Sequence, residues 1–87
     1  MMQFNFPRTI FVDKNGVVGQ TFHIETEVEE MKEALQQPDI MLDAMETMDT
    51  YHSCETKLRI LQEKHLVDLD ALQVACEVKN RDRGYYS

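Results

Sequence analysis

Two short acidic stretches, Glu27-Val28-Glu29-Glu30 and Glu46-Thr47-Met48-Asp49, constrain this chain more than any other feature. Their outer acids are spaced i, i+3, so on a helix each pair of carboxylates leaves one face. Both stretches sit in apolar repeats of helical period. Ile24, Val28, Met31 and Leu35 recur at i, i+4, i+7 and i+11, ending before Pro38. Met41, Met45, Met48 and His52 form the stripe of a second segment, with Leu58 and Leu61 marking another apolar side. Two such helices, packed together, gather four carboxylates in one place. Their repulsion is tolerable where a divalent cation sits among them, and hard oxygen ligands of this type suit Mg²⁺ or Mn²⁺.

Helical-wheel geometry selects among the acids. With Met31 as reference, Glu27 lies about 40° away and Glu30 about 100° away on the same side, at ~100° per residue. Glu33 completes a second, overlapping pair with Glu30, points nearer to solvent, and stays as a third possible ligand. On the second helix Asp49 falls inside the stripe and Glu46 on its border. An unpaired carboxylate facing a core is expensive, and a metal ion supplies the partner. The competing reading is a solvated acidic face. With sixteen Asp and Glu in 87 residues, the bare double pattern arises by accident in about one such chain in eight.

The chain is the size of one small domain, where a single core gives modest stability. Trp is absent and Met numbers six, so packing relies on aliphatic residues, Met and four Phe. Self-association, as a homodimer or homotetramer, would relieve that shortage. A net charge of −7 opposes binding to a nucleic-acid polymer or an anionic membrane. Cys54 and Cys76 fit no paired-ligand spacing and read as reduced thiols. With no apolar run of membrane-spanning length and no signal-peptide core, the expected location is cytoplasmic.

Residues 1–23 read differently from residues 24–87. Thr9–Val12 and Val17–Phe22 are β-prone, and Lys14-Asn15-Gly16 between them is a turn signal, so the expectation is a β-hairpin or extended arm. Thr26 with Glu29 offers a capping box for the first helix. Asp39 is an N-cap for a second helix running to about Lys64. Asp68 caps a third, with Leu69, Leu72, Ala75 and Cys76 inward and Gly84 as the C-terminal cap. The expected fold is mainly α: an arm followed by three helices in a bundle completed by oligomerisation.

These segments resemble the all-α nucleotide pyrophosphohydrolase superfamily, which includes MazG-like enzymes and dimeric dUTPases. Its signature is ExxE followed, on the next helix, by ExxD. Glu27–Leu35 is similar to the first motif, and Met45–Thr56 resembles the second as phage-type members carry it. Glu77-Val-Lys-Asn-Arg-Asp-Arg-Gly-Tyr85 looks like the basic segment closing the third helix. The resemblance implies Mg²⁺-dependent hydrolysis of a nucleoside triphosphate to the monophosphate and pyrophosphate. It makes Glu27, Glu30, Glu46 and Asp49 metal ligands, and Lys79, Asn80 and Arg83 contacts for phosphate or ribose. Glu30 or Glu33 is then the group nearest the attacking water. His52, one turn after Asp49 on the stripe, reads either as a hydrogen-bond partner of that Asp or, more often for such a His, as a core residue bonded to a backbone carbonyl. Fuller members have a helix where this chain has its expected arm. A catalytically silent relative or a non-enzymatic helical adaptor is therefore the alternative.

Overall fold

The computed structural model describes residues 2–86, leaving Met1 and Ser87, the ends of the two predicted segments, outside the described residues. Four helices follow one another: α1 (Phe11–Lys14), α2 (Gly16–Ala34), α3 (Ile40–His65) and α4 (Leu69–Asp82). Among the described residues there is no strand. The expected hairpin is replaced by α1 and the first turns of α2. Lys14-Asn15-Gly16 does break the chain, but between helices: Gly16 enters α2 at φ +64°, a left-handed conformation glycine adopts without a Cβ penalty. The β-branched residues on either side follow their tertiary contacts instead of their strand propensity. Val12 and Gln20 are each 1% exposed. Because α2 runs unbroken through residue 24, Thr26 lies inside it and returns its hydroxyl to the Phe22 carbonyl (3.2 Å) instead of capping a terminus.

The helix ends are set by local chemistry. α2 tightens at its close, with Leu35, Gln36 and Gln37 donating to carbonyls three residues back. Asp39 then caps α3, its carboxylate accepting from Met41 N at 3.0 Å and Leu42 N at 3.4 Å. At the other end Leu66 takes φ 55°, and its amide and that of Val67 both turn back to the Leu61 carbonyl. Asp68 caps α4 through Ala71 N (3.1 Å). The finish of α4 is a Schellman arrangement: Gly84 at φ +78°, Tyr85 N donating to Asn80 O and Gly84 N to Arg81 O.

α2 and α3 form the antiparallel pair at the centre, and α1 packs against both. Buried apolar residues are few: Val12, Ala34, Ile60 and Leu69. The face of α3 turned inward carries Ser53, Glu55, Thr56 and Ile60, so much of what is buried is polar. The methionine stripe faces outward instead, with Met41, Met45 and Met48 each at least half exposed. Leu35 is exposed as well. α4 touches the rest of the chain mainly through Leu69, while Leu72, Val74 and Val78 stay exposed.

An N-terminal strap, residues 4–8, crosses α3. The buried carboxylate of Glu55 accepts from two successive backbone amides, Asn5 N at 2.9 Å and Phe6 N at 2.7 Å. Arg59 donates to the Phe6 carbonyl and lies 4.2 Å over the Phe4 ring. Phe6 in turn stacks on His52 at 4.2 Å. Arg8 closes the strap by bridging Asp13 and Glu63, both at 2.9 Å. Beside Arg8 and Lys64, Asp13 titrates at about 2, below the usual carboxylate range.

Candidate metal centre

The antiparallel packing of α2 on α3 sets Glu27 opposite Glu46 and Asp49. Thr50 fixes this register, its hydroxyl reaching Glu46 O at 2.9 Å within α3 and Glu27 O at 3.3 Å across the helix pair. One carboxylate oxygen from each of Glu27, Glu46 and Asp49 lies within 4.8 Å of the other two. Glu30, one turn beyond Glu27, comes within side-chain hydrogen-bonding reach of both Glu27 and Glu46. Three of the four acids selected by the wheel, Glu27, Glu46 and Asp49, are thus brought together. Glu33 stands next to them, lining with Glu30 and Glu46 a cavity of about 250 Å³.

The electrostatics are those of crowded carboxylates. Loss of hydration, the neighbouring Glu30 and Asp49, and a hydrogen bond from Glu30 raise the Glu27 carboxyl above its ordinary range; His23 opposes the rise. Glu46 is raised by the same causes, with Glu33 contributing. Glu46 Oε2 is buried and has no hydrogen-bond partner among the described residues. A buried acceptor without a donor is expensive, and a cation coordinated there satisfies it. Three carboxylate oxygens at this spacing could hold a metal ion, and oxygen ligands of this kind suit a hard divalent cation.

On the far side of Glu27 and Asp49 lies a second cavity of about 320 Å³. Thr9, Phe11, Gln20, His23, His52, Ser53 and Thr56 complete its lining. His23 Nε2 stands 3.3 Å from Glu27 Oε1, and its ring lies 5.3 Å from that of Phe11. His52 takes a different partner from the one expected. It stacks on Phe6 of the strap, its Nε2 is buried without a hydrogen bond, and among the described residues none joins it to Asp49.

Lys79 and Asn80 lie on the last turn of α4, and Arg83 is its C-cap. Asn80 bonds within the helix to Cys76 Sγ at 3.5 Å. Among the described residues, no hydrogen bond or ion pair links any of the three to the carboxylates. Sequence reasoning missed Phe11, Gln20 and His23. The signal was present: His23 and Gln20 precede Glu27 by four and seven residues, the spacing of one helical face. Reading residues 1–23 as a β-hairpin or extended arm hid it.

No protein-family model, curated protein or solved structure matches the chain.

Proposed function

We propose that the chain is a Mg²⁺-dependent nucleoside triphosphate pyrophosphohydrolase that releases a nucleoside monophosphate and pyrophosphate. The observation carrying this reading is the convergence of Glu27, Glu46 and Asp49 within 4.8 Å, with Glu46 Oε2 left without a donor. Bound Mg²⁺ or Mn²⁺ supplies neutralisation of phosphate charge and acidification of coordinated water. Glu27, Glu30, Glu46 and Asp49 hold it. Glu30 or Glu33, at the edge of the smaller cavity, orients the attacking water and accepts its proton. The larger cavity, opening beside Glu27 and Asp49, takes the nucleoside. The smaller one, beyond Glu30 and Glu46, takes the outer phosphates.

The functional unit is a homo-oligomer, a dimer or tetramer. The chain exposes 6427 Å², where a compact monomer of its mass exposes about 5,300 Å². Its radius of gyration is 14.8 Å, against about 12 Å for a compact domain of this length. The excess resides where apolar residues are uncovered, on α4 and the methionine face of α3. Self-association covers those faces, and in it Lys79, Asn80 and Arg83 of one copy are available to phosphates held by another. The same exposed faces favour the second reading, a helical adaptor without catalysis. Among the described residues, no helix is long and apolar enough to cross a bilayer.

Pyrophosphate release from a panel of nucleoside triphosphates, with and without Mg²⁺, tests the reading. It is run at concentrations where sedimentation shows the assembly intact. Magnesium-dependent release, lost by at least 100-fold in Glu46→Gln, is the expected result. No release from any triphosphate overturns the catalytic reading in favour of the adaptor.

A further inference from the structure

We propose that two copies of the chain pair their α4 helices antiparallel across a two-fold axis near Cys76, each filling the groove between the other's α4 and α3. The inference rests on the self-association stated above and on no step of the hydrolysis. α1, α2 and α3 pack on one another, whereas α4 is joined to them chiefly through Leu69. A helix of 14 residues is marginal in water unless one of its faces is packed. Here the unpacked surface is apolar on two sides. Leu72 and Cys76 are exposed beside Leu69, and with Met2 and Leu58 they line a groove of about 380 Å³. Val74 and Val78, also exposed, fall about 140° and 180° around the helix from Leu69, at ~100° per residue. A helix apolar on both sides belongs between neighbours. Its own α3 supplies one, and a second copy supplies the other.

Area and charge select that second copy as the occupant. The chain exposes 6427 Å², about 1,100 Å² more than a compact monomer of its mass. A stable interface takes about 800 Å² from each partner. Charge then chooses the face. Nine of the sixteen acids fall in residues 25–49, with Lys32 the one cation among them. Pairing through the methionine side of α3 would bring Asp39, Asp43, Glu46 and Asp49 close to their counterparts. From Asp68 to Arg83 the chain carries four acids and three cations and is nearly neutral. Their order matters too: Asp68 and Asp70 stand at the start of α4, and Lys79, Arg81 and Arg83 at its end. Antiparallel pairing sets each acidic end against the partner's basic end and opposes the two helix dipoles. Parallel pairing sets like against like. The midpoint of Leu69–Asp82 falls at Ala75 and Cys76, so an antiparallel two-fold pair places Cys76 beside its own copy.

Sedimentation equilibrium of wild type, Leu72→Glu and Met45→Glu tests the proposal. Both positions are at least half exposed, so neither change disturbs the core of the monomer. Wild type should dimerise at concentrations up to about 0.1 mM. Leu72→Glu enters a two-fold contact twice and should weaken dimerisation by roughly 100-fold or more. Met45→Glu should leave it within about 3-fold, as an ordinary surface change does. In a Cys54→Ser background Cys76 is the one thiol, and a short bismaleimide should join two copies through it, less so once Leu72→Glu is added. A wild type that stays monomeric overturns the proposal together with the self-association it rests on. Dimerisation that survives Leu72→Glu overturns the proposal alone, because the copies then meet through another face. A covalent dimer through Cys76 upholds the α4 pair even if both variants dissociate, and its absence overturns that pair in every case.

Discussion

Replacing Glu55 tests the reasoning about the strap most directly. Its carboxylate, 4% exposed, accepts from the amides of Asn5 and Phe6. Hydrogen bonds to a charged group contribute roughly 1.5–3 kcal/mol each, so two set an upper range of about 3–6 kcal/mol. The loss is capped, because in Glu55→Ala the strap can lift off and its amides regain water. What is then forfeited is the ring stack of Phe6 on His52, the Phe4–Arg59 contact and the area they cover. Each such ring contact is worth about 0.5–1.5 kcal/mol beyond its area. A destabilisation of about 3 kcal/mol follows, lowering Tm by roughly 15 °C for a domain of this size. Glu55→Gln should fall between wild type and alanine, since an amide can accept one of the two bonds but turns a donor toward the other. Urea and thermal denaturation followed by circular dichroism measure both. A change below about 0.5 kcal/mol for Glu55→Ala, the range of ordinary surface substitutions, would refute the claim that this carboxylate holds the strap.

Leu66 is 86% exposed at φ 55°, a conformation costing a non-glycine residue about 1–2 kcal/mol. Leu66→Gly should raise stability by about 0.5–1 kcal/mol once the greater freedom of the unfolded chain is subtracted. Thermal denaturation checks it, and a lower Tm contradicts the reading of that turn. Without metal, Glu27 and Glu46, both raised in the folded state, favour folding most below their unfolded range near 4.5. That contribution declines as pH rises through their folded values. The apo protein should thus lose Tm as pH climbs from about 4.5, and millimolar Mg²⁺ should restore it by mass action. Glu46→Gln should flatten both trends, whereas an unchanged pH profile would show that the carboxylates do not repel as the geometry implies.

The parts of the fold written in local chemistry were legible. Asp39, Asp68 and Gly84 identify helix ends because a cap is a contact among residues a few positions apart. The carboxylate set was legible in part: i, i+3 spacing keeps the acids of a pair on one side of a helix, but the stripe that oriented Asp49 toward a core is the outward face of α3, and Asp49 is exposed. The front of the chain was not. Asn15-Gly16 signals a turn, and a turn between helices uses the same residues as one between strands. The polarity of buried Gln20, Ser53, Glu55 and Thr56 concealed the packing face of α2 and α3. The more apolar methionine side of α3 then looked like the interior. The strap left no local trace, since Glu55 lies fifty residues from Asn5.

The way Glu55 grips the strap bears on how this protein can change over generations. The bonds are made to backbone amides, which every residue but proline possesses. Substitution at position 5 therefore leaves the Glu55 bonds intact, whereas proline at position 5 or 6 removes one outright. Drift in this segment is filtered by backbone geometry, by the rings at positions 4 and 6, and by the Asn5 side-chain amide, which donates to the Tyr51 hydroxyl.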